Sequence, residues 1–154
     1  MRSKDRVVLK VMFLCTGNSC RSQMAEGFAR RLGRGIVEPY SAGLMAAGVN
    51  RHAAAVMQEA GIDISGQLSK EIDWDLLRTM DVIVTLCANA LESCPVTPKE
   101  ITRYHWPIKD PVGATGTEEQ IMTEFRKARD EIRDHVARLV QELDDQDKQR
   151  FSEN

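Results

Sequence analysis

The stretch Val7-Val8-Leu9-Lys10-Val11-Met12-Phe13-Leu14 runs directly into Cys15-Thr16-Gly17-Asn18-Ser19-Cys20-Arg21-Ser22, and a helical pattern follows at once. The first part reads as a buried central strand, apolar and rich in β-branched residues with little alternation. The second part is a short loop with a thiol at its start and an arginine at the mouth of a helix. Five residues separate Cys15 from Arg21, enough for the loop to curl so that its backbone N–H groups converge on one tetrahedral anion. The positive end of the following helix adds to that field. Arg21 supplies a planar fork suited to two oxygens at once. Such a field favours thiolate over thiol, which makes Cys15 a candidate nucleophile. Thr16, Gly17, Asn18, Ser19, Cys20, Arg21 and Ser22 are the candidate anion-binding residues.

Outward from this loop the pattern alternates between strand and helix. Arg21–Leu32 carries Met24, Phe28 and Leu32 on one face and stops at Gly33 and Gly35. Ile36–Ser41 reads as a second strand ending in Ser41-Ala42-Gly43. Asn50 caps a helix through Ala60, with Gly61 as its left-handed C′ residue. Ile72–Met80 reads as a further helix with Asp73 or Asp75 in its first turn. Asp81–Leu86 is the next buried strand and delivers Cys87 at its C-terminal end. Ile101–His105 is a fourth strand, leading to Trp106-Pro107-Ile108-Lys109-Asp110-Pro111. Thr117 with Gln120 forms a capping box for a long last helix. Along it Ile121, Phe125, Ala128, Ile132, Val136, Leu139 and Leu143 keep helical spacing. From Asp144 onward the residues are charged, and a frayed polar tail over 144–154 is expected after a single domain over 1–143.

This alternation predicts an α/β fold with a doubly wound parallel sheet and right-handed crossovers. Ligands of such sheets bind beyond the carboxyl ends of the strands. Cys15, Cys87 and Asp110 all follow strands at that end.

Bulk properties narrow the function. The 154 residues suit one domain with a substantial core. Lys plus Arg (21) nearly balance Asp plus Glu (23), so no basic surplus points to nucleic acid. No apolar run approaches the ~20 residues needed to cross a bilayer. The opening residues lack a signal-peptide pattern, so a cytoplasmic location is expected, where cysteines are more often catalytic or metal-binding than disulfide-bonded.

Four cysteines therefore need separate readings. Cys15 as an inert buried thiol conflicts with its place between a strand and an Arg-bearing helix start. Cys20 reads as a small thiol packed behind the loop. Zinc is disfavoured: the only short C-x₄-C spacing lies inside the anion loop, where a metal would block the cradle. No metal site is expected. Cys87 and Cys94 are separated by Ala88-Asn89-Ala90-Leu91-Glu92-Ser93, small and polar enough for a mobile redox pair that relays electrons from Cys15 outward. Asp110 has two readings, a turn-forming Asp before Pro and a general acid near a leaving oxygen. His52, His105 and His135 are isolated in sequence, and Trp74 and Trp106 read as packing residues.

Cys15 through Ser22, followed by Met24-Ala25-Glu26-Gly27, resembles the low-molecular-weight tyrosine phosphatase superfamily. With Ser41-Ala42-Gly43, Gly61-Ile62-Asp63-Ile64-Ser65, Val84-Thr85-Leu86-Cys87, Cys94-Pro95 and Asp110-Pro111, it resembles more closely the thioredoxin-coupled arsenate reductases within that superfamily. The resemblance implies one domain with a four-stranded parallel sheet flanked by helices, a flavodoxin-like three-layer sandwich. It also implies a monomeric enzyme of arsenic detoxification with a weak phosphatase side activity, no tightly bound cofactor, and electrons from thioredoxin. By the same resemblance Cys15 attacks arsenate held by the loop amides and Arg21, Asp110 protonates the departing oxygen, and Ser22 stabilises the Cys15 thiolate. Cys87 and Cys94 then pass a disulfide outward. Some relatives bind potassium through side chains matching Asn18, Glu26, Ser41 and a later acid; here the matching late residue is Lys70, whose ammonium can take the cation's place. The rival reading is a phosphotyrosine phosphatase, but Val112 stands where such enzymes place an aromatic residue after Asp-Pro. A non-enzymatic anion sensor would leave the cysteine pair unexplained.

Overall fold

The computed structural model describes residues 7–88 and 94–152. Four parallel strands form one sheet: β1 (Leu9–Cys15), β2 (Val37–Gly43), β3 (Val82–Thr85) and β4 (Thr102–His105), in the spatial order β2-β1-β3-β4. Among the described residues four α-helices accompany them: α1 (Arg21–Leu32), α2 (Arg51–Glu59), α3 (Trp74–Leu77) and α4 (Glu118–Ser152). The expected four-stranded parallel α/β sandwich is the observed one.

Alternation along β1 explains the layers, because successive side chains of a strand point to opposite faces. Val11, Phe13 and Cys15 join the core shared with α1, α2 and α4, together with Val82, Val84 and Leu86. Met12, Leu14 and Ile83 face the other way, against Leu77, Met80 and Ala42. A strand covered on both sides reads as a nearly continuous apolar run, as this one does.

The capping expectations hold. Asn50 accepts N–H groups of His52 and Ala53 at the start of α2, and Thr117 and Gln120 exchange reciprocal bonds at the start of α4. Other expectations need correction. The helix expected over Ile72–Met80 is the single turn α3, capped by Asp73, because Leu77 and Met80 already cover the sheet face from a turn. Trp74, at its first position, is 44% exposed and is not a packing residue. Trp106 does pack, 6.0 Å from Phe13 and stacked 4.9 Å from His135 on α4. Burial in that stack lowers the His135 pKa, with Arg138 acting in the same direction. Finally, α4 continues past Asp144 to Ser152 and does not fray there. Lys148 pairs with Asp144, Arg150 with Asp147, and Gln141 donates to Asp145, all at helical spacing.

Candidate active site

The loop between β1 and α1 is shaped from outside. The Thr16 carbonyl accepts Met45 N–H (3.1 Å), Gly17 accepts Ala47 N–H (2.9 Å), and Ser19 accepts Asn50 N–H (2.9 Å). The Asn18 carbonyl accepts the Ser69 hydroxyl (2.8 Å) and the Gln23 amide (3.0 Å). Each of these carbonyls is thus turned outward. Across a planar trans peptide the next N–H points the opposite way. The amides of Gly17, Asn18, Ser19 and Cys20 therefore face the hollow over Cys15.

Two backbone features make this curl possible. Asn18 adopts φ +44°, the left-handed region that Asn tolerates better than most residues. Gly43, at the end of β2, lies so close to the loop that a Cβ there would meet Asn18 N and Thr16 O at 2.7 Å. Only glycine admits that approach.

The start of α1 is left open to an anion. Its N-cap residue Cys20 makes no side-chain cap bond, and its first turn carries no acidic residue. The helix dipole and the converging amides then act on whatever occupies the hollow.

At its floor Cys15 is 3% exposed, and its sulfur lies 2.8 Å from Ser22 Oγ. Asn18 Nδ2 donates to the same Ser22 oxygen at 2.9 Å. Asn18 Nδ2 occupies one acceptor position of the Ser22 oxygen, which leaves the Ser22 hydroxyl able to donate to the sulfur.

Arg21 reaches across the sheet's carboxyl rim. One guanidinium nitrogen, Nη1, donates to the Leu86 carbonyl (3.0 Å) and the Ile108 carbonyl (2.9 Å), while Nη2 lies 3.4 Å from Asp110 Oδ2. Leu86 precedes Cys87, and Ile108 lies two residues before Asp110. One buried arginine therefore ties both segments to the loop. Leu86 N–H also bonds the Leu14 carbonyl, so Cys15 and Cys87 end neighbouring stretches of the sheet.

Asp110 is a turn-forming residue before Pro111, the first of its two sequence readings. Its Oδ1 accepts Val112 N–H and caps the short 3₁₀ turn Pro111–Gly113, while Oδ2 faces Arg21 and the carboxylate is 40% exposed. Beside it opens a cavity of about 570 Å³ lined by Pro111, Gly113, Ala114, Thr115 and Thr123 among others, with no aromatic side chain among the described residues of its wall.

No disulfide joins Cys15, Cys20, Cys87 or Cys94 among the described residues. Cys87 is 1% exposed and Cys94 half-buried. Residues 89–93, read as a mobile connection between the two, lie outside the described residues. Cys20 is buried in the core behind the loop, as expected of a packing thiol. Burial raises its pKa, with the charges of Asp110 and Cys15 adding and Arg21 opposing, so it stays a neutral thiol. Among the described residues no three His, Cys, Asp or Glu side chains group as a metal site, and no described helix is long and apolar enough to cross a membrane.

The outer supports were not among the sequence candidates. Met45, Ala47, Ser69, Gln23 and Gln67 bind or brace the loop, yet their pattern carries no signal that links them to Cys15. Gly43 alone had a cue, the Ser-Ala-Gly end of a strand.

The buried Cys15 thiol thus sits at the foot of a curled strand-to-helix loop, at the carboxyl rim of a parallel sheet. The chain belongs to the low molecular weight phosphotyrosine protein phosphatase family, whose model matches residues 10–149. Among its relatives, the arsenate reductase of Bacillus licheniformis is 48% identical over 131 residues, covering 85% of this chain and 94% of that protein. The arsenate reductase of Bacillus subtilis is 51% identical over 122 residues, covering 79% of this chain and 88% of its own. A solved structure described as an arsenate reductase in the phosphate binding state superimposes with a TM-score of 0.74 at 38% identity, covering 88% of this chain and 99% of that one.

Proposed function

We propose that the chain is an arsenate reductase that uses a three-cysteine relay regenerated by thioredoxin. The observation that carries this reading is the amide-lined hollow with the free Cys15 thiol at its floor and the Cys87 stem held beside it by Arg21. Relatives named arsenate reductase at about half identity support the substrate.

Arsenate enters the hollow, where loop amides and Arg21 neutralise its oxygens. The Cys15 thiolate attacks arsenic, and one oxygen leaves as water with a proton from Asp110, giving a Cys15–S–As(V) adduct. The Cys87 thiolate then attacks the Cys15 sulfur. The S–As electron pair stays on arsenic, arsenite leaves as As(III), and a Cys15–Cys87 disulfide remains. Cys94 attacks Cys87, frees Cys15 and leaves a Cys87–Cys94 disulfide, which a thioredoxin dithiol reduces. Cys20, held neutral by burial, takes no part.

The same hollow accepts phosphate, which accounts for a weak phosphatase side activity. The aromatic-free wall beside Asp110 and Val112 in place of an aromatic residue offer a phosphotyrosine ring nothing to stack on. The test is arsenate-dependent NADPH oxidation with thioredoxin and thioredoxin reductase. Multiple turnovers are expected; hydrolysis of aryl phosphates without arsenate-dependent oxidation would reject the reading.

The residues that would hold potassium do not fit that ion. Glu26 Oε1 accepts the Ser41 hydroxyl (2.5 Å) and lies 4.0 Å from Lys70 Nζ, while Oε2 accepts from Arg30 (2.7 Å). Asn18 Oδ1 accepts from Gln23 and from Lys70 N–H. Two side-chain cations already neutralise Glu26, although burial lowers the Lys70 pKa against the pull of Glu26. Replacing NaCl with KCl at constant ionic strength is therefore expected to leave the rate unchanged. Clear activation specific to potassium would contradict this assignment of Lys70.

A further inference from the structure

A single line of side-chain amides connects the outer face of α1 to the Cys15 sulfur, and every member has its direction fixed. Arg30 can only donate, so Gln67 must turn its oxygen to Arg30 Nη1 (2.7 Å). Gln67 Nε2 then faces Gln23 and donates to its Oε1 (2.8 Å) and its carbonyl (3.1 Å). Gln23 is fully buried; with its oxygen taken, its Nε2 faces three acceptors at 3.0 Å, namely Asn18 O, Asn18 Oδ1 and Leu68 O. Asn18 Oδ1 is thereby turned away from the hollow, where Lys70 N–H also holds it, and Asn18 Nδ2 is left to face Ser22 Oγ. The Ser22 hydroxyl lies 2.8 Å from Cys15 Sγ and donates to it when that sulfur is a thiolate.

From this chain we propose that Gln23 and Gln67 are positioning residues that set the direction of the hydrogen bond at Cys15, so that Ser22 always donates to the sulfur. The inference rests on the reading of Cys15 as the nucleophile. Without Gln23, the Lys70 N–H alone holds Asn18 Oδ1, and an amide flips end for end at little cost in shape because O and N are nearly isosteric. A flipped Asn18 would offer its oxygen to Ser22 and draw the hydroxyl proton away from the thiolate. Gln23 also braces the Asn18 carbonyl outward, so the same residue supports the anion-facing Ser19 amide.

Neutral variants isolate this role from a change in charge. Gln23→Met and Gln67→Met keep length and bulk but can neither donate nor accept an amide bond. The ionisable groups gathered around Cys15, namely Arg21, Asp110 and the Cys20 thiol, are untouched, as are Arg30, Glu26 and Lys70 along the chain. The readout is the rate of iodoacetamide alkylation at the Cys15 peptide, followed by mass spectrometry at about pH 6.5 and about pH 9.5. Gln23→Met is expected to lower the ratio of the two rates by roughly tenfold, the worth of a hydrogen bond to a charged group, and Gln67→Met by about threefold.

A merely structural role would lower the melting temperature or both rates together and leave the ratio unmoved. The wild-type ratio in both variants would overturn the proposal. Should Gln23→Met fail to fold, Gln67→Met decides it, because Gln67 is only part-buried. A separate control addresses the underlying reading: arsenate or phosphate should protect wild-type Cys15 from alkylation. Absence of that protection would remove Cys15 as the nucleophile, whatever the glutamine variants do.

Discussion

Cys94→Ser is expected to convert the enzyme from a catalyst into a stoichiometric reagent. The half-buried Cys94 is the most accessible of the three proposed relay sulfurs, whereas Cys15 and Cys87 are almost fully buried. A disulfide between two buried sulfurs is hard for an external dithiol to attack, because exchange needs access along the S–S axis. The variant should release about one arsenite per chain and then stall with Cys15 and Cys87 joined, since serine cannot accept the disulfide. Quenched-flow arsenite release with disulfide mapping checks this. Sustained turnover would remove Cys94 from the relay.

Arg21→Lys is expected to be nearly as damaging, for a geometric reason. Arg21 uses separate nitrogens to hold the Leu86 and Ile108 carbonyls and to face Asp110. A lysine ammonium keeps the charge but offers one nitrogen on a flexible stem, so it cannot tie both segments and grip an oxyanion together. Loss of one preorganised donor at such a site costs about 10²–10³ in rate, and this substitution removes a donor pair and a tether. A fall in kcat/KM of at least about a hundredfold is the expected result. The melting temperature should also drop, because two buried carbonyls lose their partner. Activity within tenfold of wild type would show that charge alone suffices.

How far the sequence foretold this site depends on the range of each interaction. The strand, loop and helix from Leu9 to Leu32 were legible because their cause is local: an apolar run, a fixed Cys-to-Arg spacing and a 3.6-residue period. Arg21–Leu32 was anticipated to the residue. The caps at Asn50 and Thr117 were legible for the same reason.

What escaped is nonlocal. Ile72, Leu76, Leu77 and Met80 have helical spacing, but in the fold they cover the second face of the sheet from a single turn and its flanks. That shortened the helix and left Trp74 in solvent. The outer scaffold of the loop comes from residues 45–50 and 67–70, which reach it across long stretches of chain. No periodicity marks a serine or a glutamine that will face a carbonyl over 40 residues away. The persistence of α4 beyond Asp144 was hidden for another reason: charged residues look like a solvated tail until their partners fall at helical spacing.

The central claim, that Cys15 beneath the amide hollow delivers electrons to arsenic through Cys87 and Cys94, is tested most directly by one single-turnover experiment. Fully reduced wild-type protein, freed of external thiols, is mixed with excess arsenate; arsenite is counted and the disulfides are mapped. About one arsenite per chain is expected, with Cys87 and Cys94 joined and Cys15 again reduced, two thiols supplying the electron pair that As(V) requires. No arsenite, with all four cysteines still reduced, would contradict it.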